Sequence, residues 1–168
     1  LEEFHLGQIG GVPGSCTFVP FSTNPFFPLS PGRKLVLEGR ENGQQAVVTI
    51  TVLDEIKEVS LMVGGETRII RTRVVEERET VAGELVEVTR GFLAQCVETG
   101  DVYHFGEEVD LFAGGRVVSH EGTWLAGVAG AQPGIMMPGS FVVGAQYFQE
   151  RAPGVALDVA GNVAAGVT

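Results

Sequence analysis

A regular alternation of strand-like runs and turns over residues 33–119 constrains the fold more than any other feature of the sequence. Residues 45–54 (QAVVTITVLD) are rich in β-branched residues and alternate apolar with polar side chains, as a half-buried strand does. No segment keeps the 3.6-residue apolar spacing of a three-turn helix. The sequence therefore predicts an all-β protein in which an antiparallel meander forms a barrel-like or sandwich sheet.

Glycine supplies most of the predicted turns. The chain has 24 glycines in 168 residues, about twice the usual fraction. Reversals that need positive φ favour this residue, and they are predicted at Gly64-Gly65, Gly83, Gly100 and Gly114-Gly115. The remaining glycines concentrate after Gly122, where no hairpin explains them.

Composition divides the chain into three parts. Residues 1–32 hold five of the eight prolines, so we expect an extended Pro/Phe-rich arm that packs on the sheet. Residues 33–150 form the predicted antiparallel β domain, which is rich in Gly, Ala and Pro over residues 122–139. Residues 151–168 form a Gly/Ala-rich C-terminal tail, of which residues 159–168 carry no charge.

The charge balance argues against one class of partner. Acidic residues number 21 and basic residues 11, which gives a net charge of −10 without a Lys/Arg cluster. Nucleic acid is therefore not an expected partner, because the positive footprint that neutralises phosphates is missing. No run of about 18 apolar residues is present, so we do not expect a membrane-spanning helix.

The two cysteines, Cys16 and Cys96, lie 80 residues apart, which is the spacing of neither a metal motif nor a redox pair. They form either a disulfide, in an oxidising compartment, or two buried thiols that pack as small apolar side chains. The first five residues include two glutamates, and no apolar segment follows them, so the chain is either cytosolic or already mature.

No catalytic motif is recognisable. The chain lacks a GxSxG nucleophile elbow, a phosphate-binding GxxxxGK[ST] loop and a GxGxxG before a helix. Adjacent acidic pairs such as Glu107-Glu108 should point to opposite faces of a strand, so they are predicted to be solvated. The sequence therefore predicts no catalytic residue, no metal ligand and no cofactor.

His104 and His120 are the main candidates for a metal site. Pairing Phe112 with Arg116 across a three-residue turn sets Glu108 opposite His120 and places His104 about 13 Å from His120 along the ladder. A metal site containing both histidines and a nearby glutamate is then difficult to close. The same register predicts a surface ion pair between Glu108 and His120.

An apolar group in the last third of the chain could line a ligand cavity, as in barrels of the lipocalin type. Flexible methionines beside an aromatic ring would also suit a binding surface, and ordinary core is the competing interpretation. The candidate ligand-binding residues are Trp124, Met136, Met137, Phe141 and Tyr147.

Two longer motifs extend over the arm and the last third. Residues 24–32 read NPFFPLSPG and lead to LVLEG, while YHFGE at 103–107 precedes HEGTW and AQPGIMMP at 120–138. These stretches resemble a family of uncharacterised exported bacterial all-β proteins with an N-P-[FY]-F-P-L-x-P-G opening and an H-E-G-[ST]-W…A-Q-P-G-I-M-M-P segment. The resemblance extends from Asn24 to about Gly154.

The resemblance implies an exported, periplasmic or extracellular β domain, with no activity or site residues to carry over. Similar proteins continue with further strands beyond residues 152–154, where this chain enters its uncharged tail. Cys16 and Cys96 look particular to this member, and their joint presence favours a disulfide between them.

The preferred hypothesis is an exported, non-catalytic β module that serves as a structural or accessory subunit of a larger assembly. Its partners would be other protein chains, in a homo- or hetero-oligomer, with the arm and the tail adding strands to them. The alternative is a protein of lipocalin-like type that binds a small apolar ligand. A second alternative is a metal-dependent enzyme or metal carrier that uses His104 and His120.

Overall fold

A computed structural model describes residues 14–164 of the chain, which contain twelve β-strands and no helix. The prediction of an all-β antiparallel protein is confirmed. The strands are β1 (Phe18–Val19), β2 (Lys34–Glu41), β3 (Gln44–Val63), β4 (Glu66–Val81), β5 (Glu84–Cys96), β6 (Val102–Ala113), β7 (Arg116–Ser119), β8 (Trp124–Leu125), β9 (Gln132–Met137), β10 (Gln146–Phe148), β11 (Glu150–Arg151) and β12 (Val159–Gly161). Residues 14–164 contain no helix that is long and apolar enough to cross a membrane.

The main sheet is a meander that curls into a half-barrel. Its strand order is β11-β9-β6-β5-β4-β3-β2, and all of its pairs are antiparallel. β6 lies at its centre, because β5, β7, β8 and β9 all pair with it. β10 and β12 form a separate two-stranded sheet.

The strand predicted at residues 45–54 is longer than expected. β3 runs for 20 residues, from Gln44 to Val63. The charged stretch around residues 54–58 interrupts the alternation, but the chain does not turn there. Instead, the register with β4 shifts between Val52 and Ile56, and the strand continues beyond this irregularity to the turn at Gly64.

The predicted register of the β6–β7 hairpin is wrong. Ala113 pairs with Arg116, so the turn has only two residues, both glycines with positive φ, and Phe112 is opposite Val117. Two such glycines are sufficient for a tight hairpin turn. A further shift follows between Leu111 and Phe112.

The predicted ion pair between Glu108 and His120 is therefore also wrong. A carboxylate oxygen of Glu108 lies 2.8 Å from Lys57 Nζ, and His120 Nδ1 lies 2.8 Å from Asp110 Oδ1. The shifted register separates Glu108 from His120, so each forms an ion pair with another exposed side chain.

The sheet carries a core cluster on each face. Adjacent residues Phe92 and Leu93 belong to different clusters, as do Val74 and Val75, and neighbouring side chains of a strand point to opposite faces. The larger cluster includes Phe105 and Trp124. The smaller one includes Leu29, which is fully buried and lies in the segment before β2.

A disulfide joins the segment before β1 to the end of β5. Cys16 and Cys96 are bonded, with their Cα atoms 5.2 Å apart, which confirms the predicted pairing. Next to the disulfide, Phe18 is paired with Cys96 in the β1–β5 ladder. Further along, Asn24 is 3% exposed, and its Nδ2 donates to the carbonyl oxygens of Gly100 and Pro138. The described part of residues 1–32 is thus tied to the sheet at several points.

Removing the disulfide should lower stability. The loop that it closes spans 80 residues, for which the chain-entropy model gives about 4.5 kcal/mol of stabilisation. A C16A/C96A variant should therefore unfold at a clearly lower urea concentration than the oxidised protein. Wild-type protein treated with a reducing agent is the control and should approach the variant. Equal midpoints for all three would contradict the prediction.

Candidate functional site

A bulge in β6 brings His104 and Glu107 to the same face of the sheet. Leu93 of β5 is opposite His104, whereas Gly91 of β5 is opposite Glu107, so β6 has one more residue than β5 over this stretch. Side chains three positions apart on a regular strand point to opposite faces, but the extra residue offsets this alternation. Glu107 therefore points to the same face as His104. The backbone of Gly106 between them has a φ of 135°, which favours glycine.

Two glycines allow neighbouring backbone to approach this bulge. A Cβ atom on Gly106 would lie 2.5 Å from the carbonyl oxygen of Trp124, because β8 pairs directly with this residue. On the other side, Gly134 of β9 is opposite His104, and the backbone of Gln149 occupies the space that a side chain at 134 would need. This second approach places Glu150 beside the imidazole ring.

His104, Glu107 and Glu150 form what we call the His–Glu–Glu cluster. His104 Nε2 lies 3.8 Å from Glu107 Oε2, and His104 Nδ1 lies 3.6 Å from Glu150 Oε1. The three side chains are 2%, 15% and 12% exposed, respectively. One donor atom from each lies within 4.8 Å of those of the other two.

The cluster contains buried polar atoms without hydrogen bonds. Neither ring nitrogen of His104 makes a hydrogen bond of good geometry among the described residues, although the backbone of Gln149 and Gly106 lies close to the ring. Trp124 Nε1 likewise lacks a well-aligned partner, although the Glu150 carboxyl lies nearby. The Trp124 ring packs edge-on against the His104 ring, with 5.1 Å between centroids. Buried polar groups without well-aligned partners are uncommon in folded proteins, which distinguishes this cluster from the rest of the core.

Burial shifts the protonation of all three groups. It lowers the pKa of His104 to about 4, against a weaker opposite effect of the nearby backbone of Gln149 and Gly106, so the imidazole is neutral at pH 7. Burial, followed by the charge of Glu150 and direct contact with it, raises the pKa of Glu107 to about 8. Burial also raises the pKa of Glu150, whereas its contact with Glu107 lowers it. The two carboxyls thus share a proton.

The cluster combines three groups that the sequence did not bring together. The sequence offers His104 and Glu107 as metal ligands only in a site that also contains His120. The structure instead places His120 beside Asp110. Glu150 was not considered, since it comes from a short strand two ladders away from His104. An isolated glycine within a strand pattern often marks a bulge, and Gly106 was the available signal.

Three of the predicted ligand-binding residues lie in or against the two core clusters. Trp124 belongs to the larger cluster and contacts His104. Met136 and Met137 are half-buried and pack against the smaller cluster, next to Leu29 and its neighbours. The structure therefore divides these residues between two packing clusters.

The other two predicted ligand-binding residues lie outside those clusters. Phe141 contacts Phe26, with 5.4 Å between ring centroids, and the Tyr147 hydroxyl donates to Asn162 Oδ1 at 3.2 Å. A shallow cavity of about 250 Å³ lies beside Arg90 and His120, and none of the five predicted residues lines it.

The outer edge of β2 is a second notable feature. All eight of its residues are exposed, including Leu35, Val36 and Leu37, which are each about half exposed (48%, 49% and 49%). β2 ends the strand order, and no described strand pairs with its outer side. We call this feature the β2 edge.

Comparison with known proteins finds no matching family model, no similar curated protein and no similar solved structure.

Substituting Gly106 should damage the cluster more than an ordinary glycine substitution. G106A would place a Cβ against the backbone of Trp124 and force alanine to a φ of 135°, at a cost of about 3 kcal/mol or more. G130A is the matched control, because Gly130 also has positive φ but nothing lies within 4 Å of the added Cβ. Its cost should be about 1–2 kcal/mol. Equal losses in urea unfolding would show that the close approach at Gly106 is unimportant.

The shared proton should appear in the pH dependence of stability. The folded state holds an extra proton on Glu107 between pH 4.5 and about 8, whereas the unfolded state holds an extra proton on His104 between about 4 and 6.5. The two effects oppose each other below pH 6.5. From pH 6.5 to 8 the Glu107 effect remains, and the free energy of unfolding should fall by up to about 1.4 kcal/mol per pH unit.

Urea unfolding of metal-free protein across this range tests the prediction. E107Q should remove the fall above pH 6.5, because an amide does not ionise. E108Q alters the neighbouring exposed carboxylate and should keep the wild-type profile. A wild-type profile in E107Q would place the relevant proton elsewhere.

Proposed function

We propose that the protein is an exported, non-catalytic assembly module that pairs with a second copy of itself along the β2 edge. Two half-barrel sheets would then join into one continuous sheet. The observation that carries this proposal is the exposure of all eight β2 residues at the end of the strand order.

An open strand of this length favours strand addition. An edge strand presents unpaired backbone N–H and C=O groups, and a partner strand can satisfy them. Exposed Leu35, Val36 and Leu37 add apolar surface that pairing would partly cover. The opposite end of the sheet offers much less, because β11 has only two residues.

The sequence of β2 suits a second copy as the partner. Antiparallel pairing about a twofold axis at Val36 sets Lys34 opposite Glu38 twice and Leu35 opposite Leu37 twice. Opposite charges and apolar pairs in these positions stabilise a sheet. Moving the axis to Leu37 would instead set Lys34 opposite Arg40, which repels. Charge complementarity thus favours the axis at Val36 over the axis at Leu37.

The segments first expected to pair with other chains are used within this one. Phe18–Val19 of the arm pairs with β5, and Val159–Gly161 of the tail pairs with β10. Among the strands of residues 14–164, β2 is the longest whose outer side is unpaired along its whole length.

Export rests on two supports. The disulfide between Cys16 and Cys96 is compatible with an oxidising compartment. The resemblance of residues 24–154 to exported bacterial β proteins points in the same direction.

Charge exchange across the proposed axis tests the assembly. K34E places a carboxylate opposite Glu38 and should weaken the dimer about tenfold, because two attractive pairs become repulsive. E38K should weaken it equally, and the K34E/E38K double variant should restore it. Sedimentation velocity over a wide concentration series measures the dissociation constants of the wild type and of the three variants.

E121K is the matched control, since it changes net charge as E38K does but at an exposed site outside β2. It should leave the dissociation constant unchanged. A wild-type protein that stays monomeric throughout the series overturns the proposal, as does a dimer that the K34E/E38K exchange fails to restore.

A further inference from the structure

We propose that the His–Glu–Glu cluster binds a divalent first-row transition-metal ion of the Zn²⁺ or Mn²⁺ type. This proposal is independent of the assembly at β2, since the cluster is formed by β6 and β11 and the edge lies at the other end of the sheet.

The donor set is the first argument. An imidazole nitrogen and two carboxylate oxygens are ligands that zinc and manganese accept, and three protein ligands leave a coordination position for water. Calcium is a poorer match, because it takes six to eight oxygen ligands. Two carboxylates would also balance the charge of a divalent ion.

The buried His104 ring supplies an independent argument. The residue is 1% exposed, and neither ring nitrogen makes a hydrogen bond of good geometry among the described residues, although the backbone of Gln149 and Gly106 lies close to the ring. Such a ring is costly to bury unless something satisfies it. One oxygen of each glutamate lies within 4.8 Å of the same ring nitrogen, so both carboxylates can approach an ion bound to that nitrogen.

Binding of an ion would require movement of side chains but not of the backbone. The donor atoms lie within 4.8 Å of one another, whereas a tetrahedral zinc ion with bonds near 2.0–2.1 Å requires about 3.3 Å. Glutamate has three rotatable side-chain bonds, and both carboxyls are slightly exposed, which gives an ion a route into the site. His104 stays fixed between Trp124 and Gly91, where a Cβ on the glycine would lie 3.3 Å from Nε2.

A second group of possible metal ligands does not compete. Cys16, Cys96 and Glu98 also lie close together, but the two sulfurs are joined in the disulfide. A thiolate site is therefore absent from these residues in the oxidised protein.

The test uses untagged, EDTA-dialysed protein carrying H5N and H120N, so that His104 is the remaining histidine of the three in the chain. Zn²⁺, Mn²⁺ and, for comparison, Mg²⁺ are titrated by calorimetry and by thermal unfolding. We expect one Zn²⁺ per chain and a Tm rise of roughly 5–10 °C at 100 times the dissociation constant. Nitrogen-15 spectra of the single imidazole should show a large shift of the ligating nitrogen on zinc addition.

Isosteric variants in the same background locate the site. E107Q and E150Q keep the side-chain shape and should each weaken Zn²⁺ binding at least tenfold, while circular dichroism reports that the sheet is retained. E108Q is the matched control and should bind as the parent does.

Three results would overturn the proposal. One is that Zn²⁺ neither raises the Tm of the H5N/H120N protein nor shifts its imidazole signal. The two carboxyls would then share a proton without binding a metal. Another is full binding by the E107Q/E150Q double variant. The third is binding by the wild type that is lost in H5N/H120N, which would assign the metal to another histidine.

Discussion

The structure depends most on the one additional residue that β6 has relative to β5. A strand without it would send Glu107 to the face opposite His104, and the acidic pair Glu107-Glu108 would be solvated as the sequence predicts. The same stretch of β6 receives β8 through Gly106, which brings Trp124 over the histidine ring. One backbone irregularity therefore brings Glu107 into the cluster and Trp124 over it.

Burial of three titratable groups in one place opposes folding unless they satisfy one another. The fold reduces this cost by leaving His104 neutral and by letting the carboxyls share a proton. Neither arrangement gives both imidazole nitrogens a hydrogen bond of good geometry among the described residues. The cluster is thus less completely satisfied than the polar side chain of Asn24, whose buried amide group donates to two carbonyls.

Local patterns were sufficient to predict the meander but not the cluster. β-Branched alternation and glycine turns are properties of neighbouring residues, so the turns at Gly64-Gly65 and Gly114-Gly115 could be placed from sequence. The exact register of the β6–β7 hairpin could not be predicted, because a two-residue turn and a three-residue turn can both close such a hairpin. Glu150 reaches His104 across β9 only because backbone packs against Gly134, and that is a tertiary contact without a local signal.

The disulfide has a mechanical consequence for a chain pulled at its two ends. Cys16 and Cys96 enclose β1 to β5, including the whole β2 edge, within one covalent loop. A stretching force is carried across the sulfur–sulfur bond, so the enclosed residues add no length to the extended chain while the bond is intact. Strands β6 to β12 lie outside the loop and would be drawn out first. Under load, the β2 edge would therefore stay free of tension after the cluster between β6 and β11 had been pulled apart.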